Sequence, residues 1–274
     1  MPELPEVETI RQTLEPVLLN QVIDAVEVKQ THLRWKVNPK DFDRWVIGQR
    51  ILSLQRRAKY LLWQLQNDSA VVIHLGMSGR LGIFLPQDEL EPHTHVIFNL
   101  ANQKQIRYRD PRRFGFIEVV APHRLATYKR FQALGPEPLT DAFNADYFAQ
   151  KIAGRKSAIK NVLMDASVVV GLGNIYANEA LFMAAIKPQR FAQTLSKDEI
   201  ERLVAAVKAV LQNAITRGGT TLRDFRDARG EPGFFSLELS VYGREREACP
   251  NCGSLIEKMK ISGRSSFYCP QCQR

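Results

Sequence analysis

The spacing of four cysteines is the feature that most constrains what this chain can fold into. All of them lie in the last 26 residues, in two Cys-x2-Cys pairs separated by 16 residues: Cys249, Cys252, Cys269 and Cys272. A two-residue gap turns both sulfurs of a pair toward one tetrahedral ion, so the pattern predicts a ribbon around one structural Zn²⁺. Two disulfides or a redox pair are the alternative. The chain has no other cysteine and no secretory signal, which favours reduced thiols and the cytoplasm.

The first residues carry the second informative pattern, a proline flanked by carboxylates. Pro2 follows Met1, and Glu3 and Glu6 come shortly after it. Methionine aminopeptidases remove an initiator Met that precedes a small residue, so we expect the mature chain to begin with the secondary amine of Pro2. An α-amino group has a pKa of about 8, which leaves part of it unprotonated and nucleophilic at neutral pH. The alternative is that Pro2 has no chemical role and that the acidic residues only favour a helix start.

Composition and charge narrow the class of protein. The 274 residues are 45% hydrophobic and contain no low-complexity tract, which indicates one large or two modest folded domains. No run of 18 apolar residues is present, so we expect no membrane span. The net charge of +9 and the pI of about 9.5 favour a polyanionic partner. A membrane surface is the weaker alternative, because no basic amphipathic helix with aromatic anchors occurs.

The N-terminal half predicts one helix and a series of strands. A proline near the first position and acidic residues in the first turn begin the helix, whose buried stripe is Val7, Ile10 and Leu14. From about Val22 to Val120, short apolar runs separated by turn residues predict closely spaced strands, which favour an antiparallel sandwich or barrel. The clearest strands are Lys59–Leu65, Ala70–Leu75, Thr94–Leu100, Gln105–Arg109 and Phe116–Val120.

The pattern changes after residues 134–138, where a Gly-Pro-Glu-Pro run predicts a linker. Apolar residues then recur at helical spacing in Lys156–Asp165 and Ile175–Ala185, on either side of a glycine-containing turn. Ser196 and Glu199 have the spacing of a capping box and begin a longer helix. This half of the chain therefore predicts a helical domain.

The sequence thus predicts an α+β protein of several domains. We expect an N-terminal antiparallel β-sandwich flanked by helices over residues 1–132, and a linker over 133–148. A helix–two-turn–helix domain follows over 149–236 and includes a polar, glycine-containing loop at about 217–233. The C-terminal zinc ribbon occupies residues 237–274.

Five motifs together resemble one family. They are Pro2-Glu-Leu-Pro-Glu6, His74-Leu-Gly-Met-Ser-Gly79, Asp110-Pro-Arg-Arg-Phe-Gly115, Gly173-Asn-Ile-Tyr176 and the four-cysteine ribbon. Over its full length the chain resembles the bacterial formamidopyrimidine-DNA glycosylases, bifunctional enzymes that remove oxidised purines such as 8-oxoguanine. The sibling endonuclease VIII group usually has Gly where this chain has Leu4. That difference and the presence of the loop at about 217–233, which in the family closes over the extruded base, favour the purine-repair branch.

The resemblance implies the catalytic residues. Pro2 would be the nucleophile that attacks C1′ of the sugar, and Glu3 would donate a proton to the opening ring or the departing base. Glu6 would position the terminal amine or share its proton. The iminium formed on Pro2 allows elimination of the 3′ and then the 5′ phosphate, for which the family uses Lys59 and Arg264 as proton donors. From the residues alone, Lys59 beside two arginines is first a phosphate contact, and Arg264 a bidentate phosphate clamp, because a guanidinium rarely gives up its proton.

A base inside the duplex cannot be attacked, so it must be flipped out of the stack. The resemblance implies that Met77, Arg112 and Phe114 fill the gap and hold the opposite strand. A flexible thioether, a guanidinium that can bond the orphaned base and an aromatic wedge suit this task. Without the resemblance, the alternatives are ordinary core packing for Met77 and Phe114 and a solvent-exposed position for Arg112.

The resemblance implies five contacts to the DNA backbone: His74, His93, Arg155, Asn174 and Tyr242. Asn174 stands at the predicted start of a helix, where free backbone N–H groups can hold a phosphate, and a plain N-cap is its alternative role. His93 and His95 are expected on one face of a strand. A surface pair is the alternative to a metal site there, because no third ligand is near in the sequence.

The resemblance therefore implies a DNA glycosylase with AP-lyase activity that acts on double-stranded DNA containing oxidised bases or abasic sites. We expect a monomer with one structural Zn²⁺, located in the bacterial cytoplasm at the nucleoid. Two alternatives remain: an oxidised-pyrimidine glycosylase of the endonuclease VIII type, and a non-catalytic zinc-ribbon protein that binds nucleic acid. The presence of Pro2, Glu3 and Lys59 argues against the second alternative.

Overall fold

The computed structural model describes residues 2–220, 227–231, 233 and 238–274. The polar loop predicted at about 217–233 lies partly outside these residues, and the initiator methionine lies outside them as well. Among the helices that the described ranges contain, none is long and apolar enough to cross a membrane.

Contacts within the chain divide it into two compact units. The first joins residues 1–132 with 217–234, and the second joins 133–216 with 235–274. The stretch from 217 to 234, which the sequence pattern placed with the helical domain, therefore counts with the first unit. The boundaries of the finer division into sandwich, linker, helical domain and ribbon stay predictions.

The first unit begins with the predicted helix, α1 (Leu4–Leu18). Glu3 is its N-cap residue, and Glu3 and Glu6 form a capping box in which each side chain accepts a hydrogen bond from the other's backbone N–H. A proline in the first turn has the φ that a helix prefers, and its missing N–H removes no hydrogen bond, because first-turn N–H groups have no partner within the helix. The predicted buried stripe is confirmed, because three apolar side chains are at most 1% exposed: Val7, Ile10 and Leu14.

A short helix, α2 (Pro39–Trp45), and eight strands make up most of the remaining described part of this unit. The strands are β1 (Ile23–Val28), β2 (Ile51–Arg57), β3 (Tyr60–Leu65), β4 (Ala70–His74), β5 (Arg80–Phe84), β6 (Thr94–Leu100), β7 (Gln105–Arg109) and β8 (Phe116–Val120). They pair into two antiparallel four-stranded sheets, in the orders β1-β6-β7-β5 and β2-β3-β4-β8. The predicted antiparallel sandwich is confirmed, and three predicted strands have the predicted bounds.

Strand β4 shows how the sandwich is packed. Val71 and Ile73 belong to the main core, which also contains side chains of the other sheet. Ala70 and Val72 point the other way, into a second cluster with Phe116 of β8. Because successive side chains of a strand alternate between faces, burial on both sides requires the uninterrupted apolar run seen in this strand.

The first unit ends its residues 1–132 with a short helix, α3 (Lys129–Gln132). The described residues of the second unit contain four α-helices, which are α4 (Ala145–Ile152), α5 (Ile159–Leu163), α6 (Asn174–Met183) and α7 (Lys197–Thr216). The predicted capping box of α7 is confirmed. The Ser196 backbone N–H donates to the Glu199 carboxylate over 2.9 Å, and the Glu199 N–H donates to the Ser196 hydroxyl over 3.3 Å. Helix α5 is shorter than its predicted span.

The ribbon ends the chain in a two-stranded hairpin. Strands β9 (Glu257–Ile261) and β10 (Arg264–Tyr268) are antiparallel and are joined by the two-residue turn Ser262-Gly263. Both turn residues have positive φ, 47° and 77°, as a tight hairpin turn of type I′ requires. A small apolar core beside the hairpin contains Phe267 and two of the cysteines.

Candidate functional site

The N-terminus is held by a buried carboxylate. Glu3 and Glu6 are each 2% exposed, and Pro2 is partly buried beside them. One Glu6 oxygen accepts the Glu3 backbone N–H over 2.8 Å, and the other accepts the Thr220 N–H, also over 2.8 Å. Gly219 approaches so closely that a Cβ on it would lie 3.1 Å from Glu6 Oε1. Glu6 therefore fixes the backbone next to Pro2 and ties it to the start of the predicted polar loop.

Lys59 lies in the tight turn between β2 and β3, so its predicted place at the start of a strand is wrong. The preceding residue, Ala58, has a φ of 53°, a value that turns accommodate and strands do not. Arg56 holds this turn to helix α1, because its guanidinium donates to the Glu8 carboxylate over 2.9 Å and to the Ala58 carbonyl over 3.1 Å. Lys59 is thereby fixed relative to the helix that begins beside Pro2.

His74 ends strand β4 between two aromatic rings. Its ring centroid is 5.0 Å from that of Tyr60 and 5.6 Å from that of Phe116, to which it is nearly parallel. The pKa of His74 is lowered to about 4, mainly by burial and in addition by the positive charges of Lys59, Arg34 and Arg130. Since Nδ1 accepts the Gly76 backbone N–H over 3.0 Å, the neutral ring carries its proton on Nε2. His74 is thus a neutral donor in a cationic environment, which suits a phosphate contact.

This burial makes the free energy of unfolding depend on His74 between pH 6.5 and about 4. In that window the unfolded histidine takes up a proton and the folded one does not, so stability falls as the pH falls, by up to about 3 kcal/mol. His74→Asn keeps an acceptor for the Gly76 N–H but cannot titrate. Between pH 7.5 and 4, the free energy of unfolding of this variant, measured in urea, should therefore fall by less than that of the wild-type protein. Identical pH dependences in the two proteins would contradict the assignment.

Met77, Arg112 and Phe114 occupy two neighbouring loops of the first unit. Met77 is 45% exposed and Phe114 44% exposed, so the alternative of core packing for these two residues is wrong. The Arg112 guanidinium lies over the Phe114 ring, 4.8 Å from its centroid. Large apolar side chains held in solvent on short loops are typical of a binding surface.

His93 and His95 do not share a face of a strand, and that expectation is wrong. His93 is exposed in the turn before β6 with a φ of 68°, whereas His95 is 7% exposed. The pairing of β6 with β7 shifts register between Thr94 and Val96, which turns His95 inward. His95 Nε2 lies 2.8 Å from the Asp110 carbonyl oxygen and has a structural role. Of this pair only His93 is exposed, and its contact with DNA stays a prediction.

Asn174 is the first residue of α6, and the N-cap is Gly173, so the alternative of a plain N-cap is wrong. Its amide nitrogen donates to the Ser265 carbonyl over 3.0 Å. Lys160 is 1% exposed and donates to the same carbonyl over 2.8 Å and to the Ser266 hydroxyl over 2.6 Å. Both side chains thus hold the strand that begins with the exposed Arg264. Lys160 was not among the residues predicted from the sequence, although a lysine inside the apolar run of α5 was a usable signal.

Glu179 is a second residue that sequence reasoning missed. Its carboxylate is 4% exposed and accepts three successive backbone N–H groups, those of Ser240, Val241 and Tyr242, over 2.8–3.0 Å. Burial raises the pKa of Glu179, and these three donors oppose that rise. The clamp fixes the backbone of Tyr242, whose ring packs edge-on against Phe267 at 5.2 Å.

Arg155 lies partly exposed between α4 and α5. Its guanidinium forms an ion pair with Asp165 over 3.1 Å. Both side chains are about one-third exposed, so the pair is worth little energy, about 0–1 kcal/mol, and a phosphate could replace the carboxylate. The position is compatible with a backbone contact, which stays a prediction.

The four cysteine sulfurs all lie within 4.8 Å of one another. Cys249 and Cys272 sulfurs are 3.8 Å apart, and those of Cys252 and Cys269 are 3.5 Å apart. These distances are too long for disulfide bonds, and all four cysteines are free, so the alternative of two disulfides is wrong. They match the roughly 3.8 Å between thiolates at a tetrahedral zinc with bonds of about 2.3 Å. The four residues form a closed site for one structural Zn²⁺.

Comparisons with known proteins cover nearly the whole chain. The model of the formamidopyrimidine-DNA glycosylase N-terminal domain matches residues 1–117, and that of the formamidopyrimidine-DNA glycosylase H2TH domain matches 134–226. A model described as a zinc finger found in FPG and IleRS matches 246–274.

Curated relatives align from end to end. Formamidopyrimidine-DNA glycosylase of Edwardsiella ictaluri is 48% identical over 274 residues, which is 100% of both chains. The protein of that name from Hydrogenovibrio crunogenus is 46% identical over 276 residues, covering 100% of this chain and 97% of its own.

Solved structures agree with the sequence relatives. A Lactococcus lactis FPG variant in complex with DNA containing Fapy-dG has a TM-score of 0.93 at 33% identity, with 100% of both chains covered. The FPG protein of Thermus thermophilus has a TM-score of 0.88 at 38% identity, with 99% of this chain and 98% of that chain covered.

Proposed function

This chain belongs to the formamidopyrimidine-DNA glycosylase family, and we propose that it excises oxidised purines, such as 8-oxoguanine and formamidopyrimidines, from double-stranded DNA. The end-to-end match to curated relatives of that name, at 46–48% identity, carries the proposal. A second activity belongs to the proposal: cleavage of the strand at the resulting abasic site. The presence of Pro2, Glu3 and Lys59 supports it, because a secondary amine, an acid and a cation are the groups that such a reaction needs.

Recognition begins with extrusion of the damaged base, which costs a few kcal/mol. Met77, Arg112 and Phe114 enter the gap, and the Arg112 guanidinium bonds the orphaned base. The exposure of Met77 and Phe114 on loops of the first unit supports this role, since both side chains can reach a partner without unfolding the core.

The chemical step starts at the terminal amine. Pro2 N attacks C1′, the bond from C1′ to the base breaks, and Glu3 supplies the proton that the opening sugar or the leaving base requires. Glu3 is 2% exposed and next to Pro2 in the chain, which supports its assignment as the group that supplies this proton. Glu6 keeps the adjacent backbone in place through its bond to the Glu3 N–H.

The iminium on Pro2 makes the C2′ proton acidic, which permits loss of the 3′ phosphate and then of the 5′ phosphate. Lys59 donates a proton or holds a phosphate, and the two roles are compatible. Arg264 stabilises the charge of the leaving phosphate, because its guanidinium binds two oxygens at once and keeps its protons.

Backbone contacts come from both units. His74 and His93 serve in the first, and Arg155, Asn174 and Tyr242 in the second. The neutral Nε2–H of His74 and the fixed N-terminus of α6 at Asn174 support these assignments, since both present donors without an added charge.

Zn²⁺ on the four cysteines maintains the ribbon that carries Arg264. We further propose that the protein acts as a monomer on the nucleoid, in the cytoplasm.

The substrate class can be tested by single-turnover excision. The rate constant for 8-oxoguanine opposite cytosine should exceed that for thymine glycol by at least about tenfold, as expected for a pocket that discriminates by shape and hydrogen bonding. We also expect a slower activity on oxidised pyrimidines, because the Lactococcus lactis protein has been solved with DNA that contains an oxidised pyrimidine. A duplex of the same sequence with undamaged guanine is the control. Faster excision of thymine glycol would favour the endonuclease VIII alternative.

A further inference from the structure

We propose that the buried carboxylate of Asp110 positions the two loops that carry Met77, Arg112 and Phe114, and thereby sets how these side chains enter the duplex. Asp110 touches none of the reacting groups, so it is a positioning residue. The inference rests on the proposed function, in which those three side chains fill the gap left by the extruded base.

Asp110 has no exposed surface, and both of its carboxylate oxygens are used. The Ser78 hydroxyl donates to Oδ1 over 2.5 Å, and the Gly115 backbone N–H donates to Oδ2 over 2.8 Å. The Tyr108 hydroxyl donates to Oδ2 over 3.2 Å. One carboxylate therefore holds the loop after β4, through Ser78, and the loop after β7, through Gly115.

The main chain of Asp110 adds two further contacts. Its carbonyl oxygen accepts the Arg113 backbone N–H over 3.1 Å and lies 2.8 Å from His95 Nε2. The turn formed by the first of these bonds contains Arg112 and is followed by Phe114. The conformation of that turn is thus specified from within the sandwich rather than by its exposed side chains.

Ser78 joins the two loops directly. Its hydroxyl donates to Asp110 and also accepts the Arg112 backbone N–H over 3.3 Å. Met77 is the neighbouring residue in the sequence, so a single hydroxyl fixes the backbone beside Met77 relative to the backbone of Arg112. A displacement of either loop would break one of these bonds.

The loops also touch backbone to backbone. A Cβ on Gly76, whose φ is +61°, would lie 2.4 Å from the Gly115 nitrogen and from the Phe114 carbonyl carbon. A Cβ on Gly115 would lie 2.1 Å from the Tyr108 hydroxyl. Only glycine fits at these two positions. The two loops therefore form one rigid base, with three exposed side chains projecting from it.

A rigid base matters because ordering flexible loops during binding costs free energy that would slow entry into the duplex. The interactions of Asp110 remove that cost in advance. Side chains on loops that move independently would have to enter the gap separately. Because these two loops are joined, Met77, Arg112 and Phe114 can enter it together.

The test follows entry into the gap without relying on catalysis. A duplex carries a tetrahydrofuran abasic analogue with 2-aminopurine as the orphaned base, and stopped-flow fluorescence reports entry of the side chains. Ser78→Ala should slow this fluorescence phase about tenfold, as expected for loss of a bridging hydrogen bond. Asp110→Asn should slow it further, because an amide cannot accept on both atoms. A merely structural role would lower stability without selectively slowing this phase.

Ser69→Ala is the matched control. Ser69 is fully buried in the same unit and donates to the Trp45 carbonyl over 2.8 Å, at the opposite end of β4 from the loop that carries Met77. It should lower the melting temperature and leave the fluorescence phase at the wild-type rate. The proposal is overturned if Ser78→Ala enters the gap as fast as Ser69→Ala. Failure of the wild-type protein to excise 8-oxoguanine would instead refute the proposed function, and the two failures are distinguishable because the fluorescence assay needs no excision.

Discussion

In a form of the protein that keeps one extra residue before Pro2, the rate of cleavage of 8-oxoguanine-containing DNA is expected to fall by on the order of 10⁴-fold or more. Losses of this size are typical when a covalent nucleophile is removed. The extra residue turns the Pro2 nitrogen into an amide, whose lone pair is delocalised into the carbonyl and cannot attack C1′. Covalent trapping with sodium borohydride should disappear together with strand cleavage, because both require the iminium on Pro2.

The structure indicates that this change would leave the fold intact. The capping box of Glu3 and Glu6 and the bond from Thr220 to Glu6 do not use the Pro2 nitrogen. Affinity for a duplex with a tetrahydrofuran abasic analogue should therefore stay within about threefold of that of the form that begins at Pro2. The same extra residue at the C-terminus is the control. Normal nicking by the N-terminally extended form, with its proline confirmed as an amide by mass spectrometry, would refute the nucleophile assignment.

Elements that depend on local patterns could be predicted from the sequence. The start of α1, the capping box at Ser196, the buried stripe of α1 and strands such as Thr94–Leu100 follow from residue spacings within about one turn or one strand. The zinc site was predictable for the same reason, since each Cys-x2-Cys pair is a local unit and only their meeting is tertiary.

Several of the errors and omissions concern residues whose role depends on contacts with residues far away in the sequence. His95 turns inward because of a register shift against β7, and the sequence of β6 alone contains no sign of it. The bond between Glu6 and Thr220 joins residues 214 positions apart. Lys160 acts on Ser265, which is 105 positions away. Partners at such separations are set by topology, which residue spacing cannot specify.

Removal of one zinc ligand is expected to abolish Zn²⁺ binding and DNA binding together. In Cys249→Ser, the zinc content should fall from one per chain toward zero, and affinity for an abasic duplex should fall at least about 100-fold as the hairpin that carries Arg264 loses its support. Zinc content is measured by atomic absorption and affinity by fluorescence anisotropy at one fixed salt concentration, since phosphate contacts weaken with salt. Asn251→Ala, an exposed change between two ligands, should retain both properties.

Two sets of forces hold the hairpin, and their sizes decide this outcome. Lys160, Asn174 and Asn178 hydrogen-bond strand β10, and each such bond contributes about 1 kcal/mol. Structural zinc in comparable sites contributes about 10–16 kcal/mol at pH 7. An isolated two-stranded hairpin is marginal in water, so a few kcal/mol of hydrogen bonding cannot replace the metal. Wild-type affinity in a verified zinc-free protein would mean that these side-chain bonds suffice and that the zinc is dispensable for holding Arg264.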